Sequence, residues 1–349
     1  MDIERKIELV AKRPTEEVVT VERLRELFET VERPKHYLGF EISGFAHIGY
    51  LSLAIKIRDF MEAGIRPTLF FADYHSWINK KLGGDIELIR RVALGYFKHV
   101  FVAMGIEEEK AEFILASSIY DKDYWKRALE IANNTTLSRV MRSITIMGRK
   151  ESMNIPSSFI FYPIMQAADI FELDVDIAHA GMDQRKVHML AIDVADKLAL
   201  KKPVAVHNHL IPSLQGMDRM NPEETKMSKS KPDSALFLHE SEEEIRRKVK
   251  KAYCPEGVVD NNPVIDVVEW LILRNDDDVL NIERPDKFGG NLTLTLNELK
   301  ETYSQKKLHP LDLKNAVADW FVETLKPVRS YFERHRELIE EMERARITR

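Results

Sequence analysis

Short apolar segments with strand character alternate with amphipathic helical patterns along the first two thirds of the sequence. The predicted strands are 36–41, 67–72, 112–116, 175–180 and 203–206. The predicted helices are 2–12, 21–31, 47–64, 85–104, 121–150, 156–173 and 184–198. Strands separated by helices pair in parallel through right-handed crossovers, and ligands bind at the carboxyl ends of such strands. The alternation therefore predicts a doubly wound (Rossmann-type) α/β parallel sheet for residues 1–212.

The periodic pattern then stops, and glycine, proline, asparagine, serine and lysine accumulate. We interpret 213–239 as a mobile loop and linker. Helical patterns return with a capping box formed by Ser241 and Glu244, and a charged helix is predicted over 325–344. Residues 240–349 are therefore expected to form a smaller, mainly α-helical C-terminal domain.

Composition narrows the class of protein. The 52 Lys and Arg stand against 57 Asp and Glu, a formal net charge of −5, so nucleic-acid binding through bulk electrostatics is disfavoured and needs a local basic patch. Cys254 is the single cysteine, and His207 and His209 lack a companion ligand set, so no resident metal is expected. No apolar run approaches the roughly 20 residues that span a bilayer. We expect a cytoplasmic protein with no membrane segment.

The loop after the first predicted strand of the sheet is rich in glycine but carries neither the G-x-G-x-x-G nor the Walker phosphate motif. His47 to Tyr50 open a helix there instead. Free backbone amides at a helix start attract phosphate, an imidazole can donate to it, and Gly49 lets a nucleotide approach the backbone. The alternative is a histidine that only caps the helix.

A second candidate phosphate site is the segment Lys226-Met227-Ser228-Lys229-Ser230 in the predicted loop. Its two ammonium groups can close over a polyphosphate and neutralise the charge that develops on a leaving pyrophosphate. The alternative is a solvated basic linker. The two motifs together, in this order, resemble those of the class I aminoacyl-tRNA synthetases.

Five further segments narrow the resemblance to the tyrosyl-tRNA synthetases of the archaeal and eukaryotic-like type. They are Y-L-G-F-E-I-S-G (37–44), Y-P-I-M-Q-A-A-D-I (162–170), G-M-D-Q-R-K (181–186), R-P-D-K-F-G-G (284–290) and H-P-L-D-L-K-N-A (309–316). Their order matches that family, and the resemblance covers nearly the whole chain. One position departs from the signature, because Tyr50 replaces a histidine there.

The resemblance implies ATP-dependent activation of L-tyrosine and its transfer to the 3′-terminal adenosine of tRNA(Tyr). It assigns the substrate phenol to Tyr37 and Asp169, and the substrate ammonium and carboxylate to Tyr162, Gln166 and Gln184. A phenol needs both a donor and an acceptor, which a tyrosine and an aspartate supply. The alternative for the i, i+4, i+7 spacing from Tyr162 to Asp169 is an ordinary apolar helix face.

The same resemblance assigns ATP binding to residues of both motifs and of the turn after the fourth predicted strand of the sheet. These residues are Gly44, His47, Gly49, Tyr50, Gly181, Asp183, Lys226, Ser228 and Lys229. Catalysis would use His47, Lys226 and Lys229 for positioning and charge stabilisation, with Mg²⁺ on the phosphates of ATP. No side-chain nucleophile and no prosthetic group are expected.

For tRNA, the resemblance points to two regions. Arg142, Arg185 and Lys186 would lie near the acceptor stem, beside an insertion around 118–155. Phe288 and Asp312 would meet the anticodon, since an aromatic face and a carboxylate suit an unpaired guanine. The alternatives are a core phenylalanine and a helix-capping aspartate. The family also implies a homodimer.

Three other functions compete with this interpretation. A tryptophanyl-tRNA synthetase would share the fold but would have no use for the phenol pair Tyr37 and Asp169. A small-molecule adenylating or nucleotidyl-transferring enzyme would have no use for the helical C-terminal domain. A non-catalytic RNA-binding relative would not need His47, Lys226 and Lys229 together.

Overall fold

The computed structural model describes residues 1–147, 155–216 and 235–347, so the predicted phosphate residues Lys226, Ser228 and Lys229 lie outside the described part of the chain. The strands within these ranges are β1 (Thr15–Val19), β2 (Lys35–Phe40), β3 (Arg66–Phe71), β4 (Glu112–Leu115), β5 (Ile177–Gly181), β6 (Val204–Asn208), β7 (Leu280–Ile282) and β8 (Leu292–Leu294). The helices are α1 (Ile3–Ala11), α2 (Val21–Thr30), α3 (Ile48–Glu62), α4 (Asp73–Ile78), α5 (Ile86–Val92), α6 (Lys98–Ala103), α7 (Lys122–Asn133), α8 (Leu137–Ser143), α9 (Ser158–Glu172), α10 (Arg185–Leu198), α11 (Glu242–Lys251), α12 (Pro263–Val267), α13 (Leu296–Ser304), α14 (Pro310–Arg334) and α15 (Arg336–Ile347).

Six strands form one sheet in the order β1-β6-β5-β2-β3-β4. The pairs from β6 to β4 are parallel, and β2 to β6 confirm the five predicted strands with small shifts at their ends. The predicted parallel sheet is confirmed for these five strands, and β1, which was not predicted, adds an antiparallel edge by pairing with β6. The segment TEEVV that forms β1 has two glutamates among five residues and lacks a strong apolar alternation.

Three predicted helices have different bounds in the structure. The helix expected over 85–104 is divided into α5 and α6 by a π-helical turn, Ala93–Phe97. The pattern over 121–150 contains α7 and α8 as separate helices. The C-terminal helix expected over 325–344 is instead α14, which begins at Pro310 because proline is favoured in a first helical turn, followed by α15.

The end of the predicted linker and the C-terminal region that follows it also differ from the expectation in detail. Ala235 to Leu238 are buried and hydrogen-bonded to the start of α3, so this end of the interval 213–239 packs against the sheet domain. The short antiparallel hairpin of β7 and β8 was not predicted. Each strand has only three residues, too few to give a periodic signal.

The hydrophobic core is continuous between the sheet and the helices that follow it. One cluster of buried side chains includes Leu38 of β2, Phe97 just before α6, Phe101 within α6, and Phe321 and Phe332 of α14. Burial of this apolar surface stabilises the position of α14 against the sheet domain. Among the described helices, none is both long and apolar enough to cross a membrane.

Candidate active site

A cavity of about 1060 Å³ opens at the carboxyl ends of β2, β5 and β6. It is lined by every tyrosine and ATP candidate that lies within the described residues: Tyr37, Gly44, His47, Gly49, Tyr50, Tyr162, Gln166, Asp169, Gly181, Asp183 and Gln184. Parallel neighbouring strands end at the same edge of a sheet, so segments far apart in sequence converge there.

Asp169 lines the cavity and is fully buried on α9. Its Oδ1 accepts a hydrogen bond of 2.9 Å from the Tyr124 hydroxyl, and its Oδ2 has no hydrogen-bond partner among the described residues. Burial raises the pKa of Asp169 well above its usual value, because an ionised carboxylate loses its hydration there. The buried Tyr37 also lines the cavity. An acceptor and a hydroxyl are therefore available for one phenol.

A second polar cluster lies around Glu41, at the end of β2. The Tyr162 hydroxyl donates to Glu41 Oε1 at 3.0 Å, and Asn79 Nδ2 donates to the same oxygen at 2.6 Å. Lys81 Nζ lies 3.1 Å from Glu41 Oε2. These contacts hold a carboxylate in the wall of the cavity, where it can attract an ammonium group.

Gln166 and Gln184 are joined across the cavity. Gln166 Nε2 donates to Gln184 Oε1 at 3.3 Å, and Gln184 Nε2 donates to the carbonyl of Ile146 at 3.1 Å. The two amides have both donors and acceptors, so together they can bind the two charged groups of an amino acid.

His47 is the N-cap residue of α3, and its Nδ1 accepts from the backbone N–H of Gly49 at 3.1 Å. The capping role considered for it is therefore present, while the ring also lines the cavity. On either side of His47, Ala46 and Ile48 form backbone hydrogen bonds with Leu238 and Leu236, each of 3.0 Å. The chain that follows the K-M-S-K-S segment is thus fixed beside the start of α3.

Tyr50, which replaces the signature histidine, packs in an aromatic cluster. Its ring centroid lies 5.7 Å from Phe40, 5.4 Å from Phe97 and 5.4 Å from His47. Burial raises the pKa of Tyr50, so its hydroxyl stays protonated. Its contacts are mostly apolar, and the ring supports the His47 face of the cavity.

The turn after β5 brings backbone close to other groups. A Cβ built on Gly181 would lie 2.7 Å from Leu210 Cδ2 and 2.8 Å from Asp183 Oδ1. Only glycine fits without a displacement of these neighbours. The Asp183 carboxylate therefore lies at the cavity beside an open stretch of backbone, an arrangement suited to a ribose.

The acceptor-stem candidates lie together on the face of α8 and α10. Arg185 forms a paired interaction with Glu17 of β1, with Nε 2.8 Å from Oε2. Lys186 Nζ donates to the Thr145 hydroxyl at 2.9 Å and to the carbonyl of Arg142 at 3.3 Å. The charge of Arg185 is partly balanced by Glu17, whereas the ammonium of Lys186 meets neutral groups.

The two anticodon candidates lie beyond the sheet domain. The Phe288 side chain is 60% exposed, which excludes the alternative of a core residue. Lys287 Nζ lies 4.9 Å from the centroid of its ring. Asp312 is in the first turn of α14, whose N-cap is His309, so the carboxylate is not the cap residue.

The polar residues at this site that the sequence did not predict include Glu41, His75 and Tyr124. Glu41 lies in the segment 37–44 that carries the family resemblance, and its place directly after β2 was a usable signal. His75 and Tyr124 reach Asp169 from α4 and α7, and only the packing of these helices brings them there.

A family model and a curated relative both indicate the same kind of enzyme, a tRNA synthetase. The family model described as class I tRNA synthetases (W and Y) matches residues 30–326. A tyrosine–tRNA ligase of Pyrococcus furiosus is 52% identical over 375 aligned positions, covering 100% of both chains.

Solved structures agree with this sequence similarity. Tyrosyl-tRNA synthetase of Pyrococcus horikoshii, complexed with L-tyrosine, is 51% identical with a TM-score of 0.94 and covers 98% of this chain and 100% of its own. Tyrosyl-tRNA synthetase of Aeropyrum pernix is 40% identical with a TM-score of 0.86, covering 99% of both. The similarity to these relatives spans nearly the whole chain, so it includes the residues that line the cavity. The chain belongs to the class I tRNA synthetases of the tryptophan and tyrosine family.

Proposed function

We propose that this chain activates L-tyrosine with ATP and transfers the tyrosyl group to tRNA(Tyr). The observation that carries the proposal is the pair Asp169 and Tyr37 in the cavity wall, where the buried Asp169 presents an oxygen without a hydrogen-bond partner among the described residues and lies close to Tyr37. A phenol bound there satisfies both groups. Phenylalanine would leave them unpaired in a buried place, which costs free energy, so selection for tyrosine follows.

The amino-acid end of the substrate would lie toward Glu41, Gln166 and Gln184. The ammonium group would meet the Glu41 carboxylate and the carboxylate would meet amide donors. This orientation directs the substrate carboxylate away from Asp169 and toward the start of α3. The reacting group would thereby approach the α-phosphate of ATP.

Activation requires a substitution at phosphorus. The tyrosine carboxylate oxygen attacks the α-phosphorus, the bond to the bridging oxygen breaks, and pyrophosphate leaves with that electron pair. ATP enters with Mg²⁺ on its phosphates. His47 and the amides at the start of α3 would hold phosphate oxygens, and Gly181 and Asp183 would hold the ribose. The charge on the leaving pyrophosphate would be neutralised by the K-M-S-K-S segment, through Lys226, Ser228 and Lys229.

Transfer to tRNA would use two surfaces. Arg142, Arg185 and Lys186 would bind the acceptor stem beside the insertion around 118–155, and Phe288 and Asp312 would read the anticodon. We accordingly assign residues 1–212 to catalysis, 213–239 to the phosphate-binding loop and 240–349 to anticodon binding. Translation enzymes act in the cytoplasm, which is the proposed location.

A homodimer is proposed from apolar side chains exposed on α7 and α9, two helices that pack together. Leu129 is 62% exposed and Phe161 is 49% exposed, and Trp125 precedes Leu129 by one helical turn. Large apolar side chains exposed on two packed helices favour association. The proposed dimer predicts that the unmodified protein sediments at the mass of two chains and that Leu129→Glu lowers this mass. A single-chain mass for the unmodified protein would contradict the dimer.

Charging of tRNA tests the complete reaction. The protein should attach labelled tyrosine to tRNA, and Phe288→Ala should raise the KM for tRNA without changing tyrosine-dependent ATP–pyrophosphate exchange. Val279→Ala, an exposed aliphatic position near the same hairpin, is the matched control and should change neither. Exchange without charging of any tRNA would favour a small-molecule adenylating enzyme. Exchange with tryptophan in place of tyrosine would favour the tryptophan-specific relative.

A further inference from the structure

Asp169 is a buried carboxylate with two unequal oxygens. Oδ1 accepts from the Tyr124 hydroxyl at 2.9 Å, whereas Oδ2 has no hydrogen-bond partner among the described residues. His75 Nε2 lies 3.8 Å from Oδ2 and is likewise buried without a hydrogen-bond partner in the described part of the chain. One oxygen is therefore occupied by the protein and the other is left for a ligand.

Tyr124 is held in place by its own surroundings. It is fully buried on α7, whose N-cap Asp121 accepts from the backbone N–H of Tyr124 at 2.9 Å. Its ring stacks on Tyr120 with centroids 4.1 Å apart, and its hydroxyl also lies 3.1 Å from the carbonyl of Met165. A side chain fixed at both ends positions its partner with little loss of entropy on ligand binding.

A buried carboxylate accepts strongly only when it is ionised, and ionisation in this place needs donors. Burial raises the pKa of Asp169, and the neighbouring hydroxyls of Tyr124 and Tyr120 lower it again in part. Loss of the Tyr124 hydroxyl would thus shift Asp169 toward its neutral form. The neutral form accepts less well from a phenol and tolerates an apolar ring better.

We propose that Tyr124 is a positioning residue for the selection of tyrosine, which fixes Oδ1 of Asp169 so that Oδ2 alone accepts the phenol proton of the substrate. The inference rests on the proposed function, since it concerns the same phenol site. It assigns to α7 a part in specificity that none of the signature motifs contains.

Several titratable groups face Asp169 from the surrounding elements. They are Tyr37 of β2, Asp73 and His75 of α4, Tyr120, Tyr124 of α7, and Tyr162 of α9. Burial raises the pKa of each of these four tyrosines, and burial lowers the pKa of His75 to about 4. These four tyrosines and His75 are neutral near neutral pH, so none of them adds a charge beside Asp169 there.

The test is tyrosine-dependent ATP–pyrophosphate exchange by the full-length protein and by Tyr124→Phe. We expect the KM for tyrosine to rise about tenfold, as for loss of one hydrogen bond to a charged group, with kcat and the KM for ATP nearly unchanged. The preference for tyrosine over phenylalanine should fall. The acidic limb of kcat/KM for tyrosine should move to higher pH, which a loss of packing alone would not produce.

The matched control is Tyr303→Phe, a buried hydroxyl that contacts Cys254 and lies outside the cavity. Tyr303→Phe should leave unchanged the KM for tyrosine, the preference for tyrosine over phenylalanine and the pH profile of kcat/KM for tyrosine. An unchanged KM and pH profile in Tyr124→Phe, or an equal loss in kcat and in both KM values, would overturn the inference while the proposed function stands. Absence of tyrosine-dependent exchange in the unmodified protein would overturn the proposed function itself.

Discussion

Gly39 lies directly against the phenol oxygen of Tyr37, two residues earlier on β2. A Cβ built on Gly39 would lie 2.1 Å from that oxygen and 2.6 Å from the ring carbon that bears it. The two residues share a face of the strand because side chains alternate along it. The absence of a side chain at Gly39 therefore lets the Tyr37 ring lie along the strand toward Asp169.

Gly39→Ala should displace the Tyr37 ring and weaken tyrosine binding. The Cβ cannot be accommodated without movement of a fully buried ring, which costs about 1–3 kcal/mol. We expect a KM for tyrosine raised about tenfold or more, measured by ATP–pyrophosphate exchange. Gly95→Ala is the control, because a Cβ there would make ordinary contact with Leu338 at 3.5 Å. Equal kinetics in the two variants would contradict the steric argument.

Glu41→Gln should weaken tyrosine binding through loss of charge. The amide keeps the size of the side chain but removes the attraction for the substrate ammonium, and we expect the KM for tyrosine to rise about tenfold. Glu112→Gln removes a carboxylate that pairs with Arg66 outside the cavity, and it should leave the KM unchanged. If Glu41→Gln also bound tyrosine normally, the ammonium would have to lie elsewhere.

His209 should contribute stability that depends on pH. Its Nδ1 lies 2.8 Å from Glu16 and its Nε2 lies 3.0 Å from Asp266, and its ring stacks on Trp270. Burial lowers the pKa of His209, but the carboxylates of Asp266 and Glu16 outweigh burial, so the pKa is raised overall. A raised pKa gives stability that is complete below the unfolded value and is lost as the pH rises through the folded value.

His209→Gln should therefore lower the Tm more at about pH 6 than at about pH 8.5, on either side of the usual histidine pKa. We expect a difference in the free energy of unfolding of about 1 kcal/mol between the two conditions. His335→Gln, at a half-buried histidine 3.4 Å from Glu337, serves as the comparison. A decrease in Tm that is the same at both pH values would show that the protonated His209 ring contributes nothing to stability.

The sequence predicted the strands that carry the cavity, because β2 to β6 have clear apolar runs between helices. It missed β1, whose position depends on pairing with β6 and not on its own pattern. It also missed the division of one long helix by the π-helical turn Ala93–Phe97, since the apolar periodicity continues through it. Local patterns identify elements, but the partners of an edge strand follow from tertiary structure.

In the candidate site, too, local sequence motifs predict some residues, whereas tertiary packing supplies others. Asp169 and Gln166 were expected because a motif on one helix places them on one face. Tyr124 and His75 could not be expected, because each reaches Asp169 across a helix interface whose geometry no short motif contains. The described cavity thus combines residues from motifs with residues brought in by packing.

The choice of amino acid is best tested by amino-acid-dependent ATP–pyrophosphate exchange with the purified protein. We expect exchange with tyrosine, little with phenylalanine or tryptophan, and loss of the tyrosine signal in Asp169→Ala but not in Asp193→Ala, an exposed position on α10. Exchange driven by tryptophan, or undiminished exchange with tyrosine in Asp169→Ala, would show that Asp169 does not select the substrate phenol.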